Sequence, residues 1–201
     1  MKKKSPSLAV ILCAAMLLTG CSAAWVSTLD SILAAAAPAL VNILQIIAIA
    51  EGKPFHSELA TKINSDAATI KQLAGDFASA SAAAAPGVCQ QLSAAIGVYT
   101  QDQQAVWALA QVSDSATQQK IAVLSGLVTS TVAAITAVIP QCQNRLAKMA
   151  EPPLNVQTFV ADYNAALTAK TGNAAVDALT PKLKIHEHRA FVRYATLGIL
   201  K

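Results

Sequence analysis

The side chains best able to do chemistry here are four cysteines, Cys13, Cys21, Cys89 and Cys142, and three histidines, His56, His186 and His188. A thiolate is both a nucleophile and a metal ligand. Cys89 and Cys142 have no histidine or cysteine close by in sequence, so neither opens a tetrahedral zinc site. The His-Glu-His run at 186–188 also fails as a metal site. On a helix its imidazoles diverge by about 200°, and on a strand they share a face but find no third ligand. No G-x-S-x-G elbow, phosphate-binding glycine loop or C-x-x-C-H haem motif occurs. The sequence therefore predicts no catalytic residue, no metal and no cofactor. Cys21 stands apart, because Leu18, Thr19 and Gly20 precede it and the small pair Thr19–Gly20 suits the extended backbone a protease requires.

What lies upstream of Cys21 gives that thiol a context. The chain opens with Lys2, Lys3 and Lys4 and continues as SLAVILCAAMLL, an apolar run of about a dozen residues. A basic start, a short apolar stretch and a small-residue cleavage site make a signal peptide. The run is shorter than the roughly 20 residues that a membrane-spanning helix needs. The tetrapeptide Leu18-Thr19-Gly20-Cys21 resembles the lipobox of bacterial lipoproteins. The resemblance covers residues 1–21 and implies cleavage after Gly20, a thioether-linked diacylglycerol on Cys21, and acylation (palmitate or a similar chain) of the new amino terminus. Two or three acyl chains anchor a protein stably where one does not. Ser22 rather than aspartate follows the modified cysteine, which by the same resemblance points to the outer membrane, facing the periplasm.

Without residues 1–20 the charge is close to neutral. Fifteen Lys and Arg fall to twelve against eleven Asp and Glu, so the net charge of +4 becomes +1. The high isoelectric point is thus largely signal peptide and is no nucleic-acid signature. Forty-three alanines, few aromatics and 13% charged residues favour helices. No alternating β-branched runs suggest strands. The fold class is all-α. In an exported, oxidising setting, Cys89 and Cys142 form an even pair and predict one disulfide.

Breakers at 51–54 (EGKP), 86–87 (PG), 113–115 (SDS) and 151–153 (EPP) divide the mature chain. Between them apolar residues recur in steps of three and four. They run through Leu29, Ile32, Leu33, Leu40 and Ile47, and through Ile63, Ile70 and Phe77. They continue through Leu92, Ile96, Tyr99 and Val106, and through Ile121, Leu124, Val128 and Ile135. This predicts an antiparallel up-down bundle of four long helices over residues 21–150, with short helices and a basic tail over 151–201. Lys62, Asp66 and Lys71 should face solvent, and Pro140 should kink or end the fourth helix. Asn155 and Asn173 should cap two short helices, the first closed by Gly172. Cys89 and Cys142 stand at similar distances from the 113–115 turn, differing by about one helical turn, and both lie on apolar seams.

From Lys182 onward the chain carries five cations against Glu187 alone. That +4 charge makes an anionic envelope component a candidate partner, besides the membrane reached through the lipid and an unidentified envelope protein. Trp25, four residues past the anchor, suits a membrane interface, and Trp107 a core. Residues 31–50 and 121–144 contain no charge and are long enough to span a bilayer. Helices apolar nearly all round lie either in a core or in lipid. The functional expectation is a membrane-anchored envelope lipoprotein acting as a structural or interaction module without catalysis. Its alternatives are a membrane-inserting or pore-like helical protein and a carrier of a small apolar ligand.

Overall fold

The computed structural model describes residues 8–137, 154–179 and 183, with side chains from Trp25 onward. Among the described residues it is an all-α bundle of six helices with no strand. They are α1 (Leu8–Glu51), α2 (Ser57–Ser79), α3 (Ala85–Leu109), α4 (Ser115–Thr136), α5 (Val156–Thr168) and α6 (Ala174–Asp177). Short connections at 52–56, 80–84 and 110–114 make successive long helices antiparallel neighbours.

α1 is the axis of the molecule and touches each of the other five helices. Leu29, Ile32, Leu33, Leu40, Ile43, Leu44, Ile46 and Ile47 are all at most 1% exposed and line one broad face, while Ser31, Pro38, Val41 and Gln45 on the other side keep some exposure. Each such side chain contributes about 2 kcal/mol on burial. The broad inward face of the charge-free run at 31–50 is thus covered by the other helices. α4, the other helix long and apolar enough to cross a membrane, is buried over 44% of its apolar window against 72% for α1. It leans on α1 and α5 and touches α3 only lightly.

The remaining helices show the spacing that places them. α2 buries Ala60, Ile63, Ala67, Ile70, Ala74 and Phe77, a strict three-four repeat in which alanine alternates with a larger residue. That alternation brings the α2 axis close to its neighbours. α3 buries Ala85, Cys89, Leu92, Ile96, Tyr99 and Val106 on the same rhythm. Asp114 caps α4 by accepting from Thr117 N at 2.8 Å, and Asn155 caps α5 by accepting from Thr158 N at 3.1 Å. Asn173 caps α6 through Ala175 N and Val176 N, as its residue type suggested. His56 stands at the N-cap of α2, where its carbonyl accepts from Ala60 N and its side chain makes no cap bond.

Three sequence expectations change. The PG pair is no connection: Pro86 sits in the first turn of α3, where a missing N–H costs nothing. The turn is the alanine-rich stretch 80–84, held by Ser81, whose carbonyl accepts from Ala84 N and Ala85 N. Gly172 does not end α5, which stops at Thr168. It lies instead at φ +86° in the turn before α6, a conformation that glycine adopts freely. Trp25 is 4% exposed, its ring edge-on to Phe77 with centroids 5.8 Å apart, so it belongs to the core and not to a membrane interface. Trp107 is half-buried at the margin of the core.

α5 is tied to α1 by one buried polar contact. Tyr163, fully buried, donates its hydroxyl to Ala39 O at 2.8 Å, and Asn42 of α1 hydrogen-bonds the same phenol. Burial raises the Tyr163 pKa, and the Asn42 contact opposes that rise. Asn42, a polar residue within the most apolar stretch of the chain, has its partner inside the bundle, where lipid would offer none.

Candidate functional site

The most complete constellation of ionisable groups lies between α2 and α3. Lys62 donates to Asp66 one turn along α2 and to Asp102 across on α3. Asp102 is 4% exposed, and its second carboxylate oxygen has no hydrogen-bond partner among the described residues. Tyr99, three residues earlier on α3, is fully buried, and its hydroxyl is likewise unpartnered. Burial drives the Asp102 pKa up, the Lys62 hydrogen bond pulls it down, and the neighbouring Asp66 pushes it up again, leaving it raised. At Asp66 burial acts upward too, but hydrogen bonds with Lys62 and Asp102 prevail and hold it low. Burial and the Asp102 charge both raise Tyr99. Lys62 and Asp66 are not simply solvated, as their spacing suggests; they are half of an interhelical clamp because the α2–α3 register brings Asp102 within reach.

The clamp's titration has a definite sign. A carboxyl whose pKa is raised by folding binds more protons folded than unfolded, so ionising it erodes stability as pH climbs above the unfolded value near 3.9. Asp102→Asn removes that loss. The stability of this variant relative to the parent should therefore improve as pH climbs above about 4 and level off once the folded-state carboxyl is ionised, read by urea unfolding at each pH. A relative stability that declines over the same window would mean that folding stabilises the ionised carboxylate.

A second polar cluster lies toward the same end of the bundle, where α4, α5 and α6 meet. Lys120, 6% exposed, donates to Leu167 O at 2.9 Å and lies 3.7 Å from Asp177. It thereby satisfies a carbonyl in the last turn of α5, where a cation opposes the helix dipole. Asp177 also accepts from Thr171 N, Thr171 Oγ1 and Gly172 N. Burial lowers the Lys120 pKa, against the raising effect of Asp177. Neither cluster was legible beforehand, since nothing in a linear pattern marks which charges a packed helix will cover.

Two surface grooves accompany these clusters. One of about 470 Å³ is lined by Ser57, Glu58, Thr61, Lys62, Ser65 and Asp66, and one of about 650 Å³ by residues that include Glu51, Lys53, Gln111 and Gln118. Both are polar-rimmed. Among the described residues no three His, Cys, Asp or Glu side chains converge on a point that could hold a metal ion.

The geometry around Cys21 is set by backbone. α1 runs unbroken through position 21, which stands four residues, about 6 Å of helical rise, before Trp25. Trp25 meets Phe77, and five residues further on Asp30 pairs with Lys71 at 2.7 Å. These two contacts fix an antiparallel α1–α2 register. Four residues beyond Phe77 is Ser81, so Cys21 and the 80–84 turn stand at the same level, at one end of the bundle. Lys71, whose spacing points to solvent, is the α2 half of that second contact. Of the two cysteines expected to pair, Cys89 is 4% exposed on the core side of α3, near this same end. Cys142, His186, His188 and Pro140 lie outside the described residues. So does the basic tail, apart from Leu183, whose N–H and carbonyl are both gripped by the Asn164 side chain, at 2.8 and 3.0 Å. No protein-family model, no curated protein and no solved structure matches this chain.

Proposed function

We propose that the chain is a lipid-anchored protein of the bacterial cell envelope, acylated on Cys21 and held at the outer membrane facing the periplasm. Its mature part serves as a structural or interaction module without chemistry of its own. The observation that carries this reading is the course of α1. The most apolar stretch of the chain runs from the proposed anchor into the centre of a helical bundle and is covered there by five other helices. A helix so occupied leaves the acyl chains as the hold on the membrane. The competing reading, insertion of α1 or α4 into lipid, would have to strip α1 of neighbours that cover 72% of its apolar window.

A Cys89–Cys142 disulfide is part of the proposal. Cys89 is buried at a helix start, and its sulfur is engaged rather than a free thiol. Gln103 of α3 reaches Thr129 of α4 at 3.3 Å. Cys89 lies 14 residues before Gln103 and Cys142 13 residues after Thr129, spacings that suit an antiparallel pair. An anionic envelope component remains the proposed partner of the basic tail.

Fractionation tests the reading. The wild-type protein should pellet with membranes and carry acyl mass on its first residue. Cys21→Ala, exported behind a signal peptide without a lipobox, should appear in the soluble periplasmic fraction and stay soluble at alkaline carbonate pH. Retention of that variant in the carbonate-washed membrane would establish insertion instead.

A further inference from the structure

We propose that the bundle stands end-on upon its own membrane, with the 80–84 turn seated in the lipid headgroup layer. This rests on the acylation of Cys21 proposed above and adds a contact surface and an orientation to it. The first reason is the length of the tether. Only Ser22, Ala23 and Ala24 separate Cys21 from the buried Trp25, and all three continue the helix that forms the core. Three helical residues give about 4.5 Å of rise and no slack. A diacylglycerol on Cys21 places its glycerol among the headgroups, so the body must begin at that depth.

The second reason is what stands level with Cys21. The register set by Trp25–Phe77 and Asp30–Lys71 puts the 80–84 turn there, and Pro86 and Gly87 follow directly at the start of α3. Residues 81–84, Pro86 and Gly87 are all exposed. They are alanine, serine, proline and glycine, and no charged residue occurs between Asp76 and Asp102. Nothing here demands the full hydration that a carboxylate or ammonium would, and nothing is bulky enough to drive deep into hydrocarbon. Asp76, the nearest exposed charge on α2, stands about 7 Å above the level of Ser81, roughly the depth of one headgroup layer. The far end is different: Glu51, Lys53 and Asp114 are gathered there, about 35 Å away along α2.

The rival orientation lays the molecule flat on the outer faces of α3 and α4, which expose no charged side chain. Depth-resolved quenching separates the two. Single cysteines replacing Ala82, Ala94, Ala105 and Ser113, all exposed positions, are labelled with nitrobenzoxadiazole without reductant. The acylated protein is then reconstituted in phosphatidylethanolamine–phosphatidylglycerol vesicles containing headgroup spin-labelled lipid. The label at Ala82 should lose more than half its emission and the one at Ala94 a small fraction, while those at Ala105 and Ser113 stay unchanged. Equal quenching along Ala94 and Ala105 overturns the upright orientation. An unquenched label at Ala82 on protein whose intact mass includes the acyl chains overturns the contact while sparing the anchor. Protein that lacks acyl mass and fails to float with the vesicles ends the anchor reading, and this proposal with it.

Discussion

Leu40→Ala should lower the unfolding free energy of the mature domain by about 3–4 kcal/mol, the range for a leucine truncated in a core that cannot collapse around the gap. Leu40 is 0% exposed on the central helix, next to Ala39, whose carbonyl accepts from Tyr163. For a domain of this size that loss corresponds to roughly 6–16 °C in Tm. Alanine is itself a better helix former than leucine, so the loss reports packing and not helix propensity. Val123→Ala on α4, at a position 50% exposed, provides the contrast and should stay within about 0.5 kcal/mol. The pair is measured by urea denaturation of non-lipidated protein in aqueous buffer. A Leu40→Ala cost below about 1 kcal/mol, no more than an ordinary substitution, would mean that α1 is not held by its neighbours in water, which is what a lipid-inserted helix predicts.

The second large effect belongs to the proposed bridge. Closing a loop of about 50 residues removes enough chain entropy from the unfolded state to stabilise the fold by about 4 kcal/mol. Cys89→Ala and Cys142→Ala should each cost that much, and the double variant should cost no more than Cys89→Ala alone, because one bond can be lost only once. Reductant should bring the wild-type protein down to the same level and leave the variants where they are. Additive losses, or a wild-type protein indifferent to reductant, would show that the two thiols stabilise the fold separately.

The parts of this fold legible in the sequence are those governed by local rules. Ile63, Ile70 and Phe77 repeat on the period of a packed helix, and α2 buries them as that period requires. Asn155 and Asn173 are short polar side chains preceding apolar runs, and each caps the helix expected of it; Asp114, read only as part of a turn, caps α4 as well. The 80–84 turn was hidden because alanine, the strongest helix former, carries no sign that a helix stops there. Burial of Asp102 and Lys120 was hidden for a different reason. Each charge is tolerated only because a partner at least 40 residues distant arrives opposite it, and such pairing is decided by register between helices. The central place of α1 falls between these cases. Its uniform apolarity announced burial, while the choice between protein and lipid turned on how many other helices surround it. The register that levels Cys21 with the 80–84 turn likewise appears only once Trp25 is seen against Phe77.

The position of α1 also shapes how the molecule comes into being. The helix that every other helix needs is the first to be synthesised, and at about 5–20 residues per second the residues from Gly52 to Thr168 take roughly 6–23 s to follow. For that interval the most adhesive surface of the chain is complete and has nothing to close upon. α5 gains its tie only when Tyr163 arrives at Ala39, and α6, which also packs on α1, follows later still. A chain built in this order exposes apolar surface while it waits, the condition under which incomplete folds aggregate.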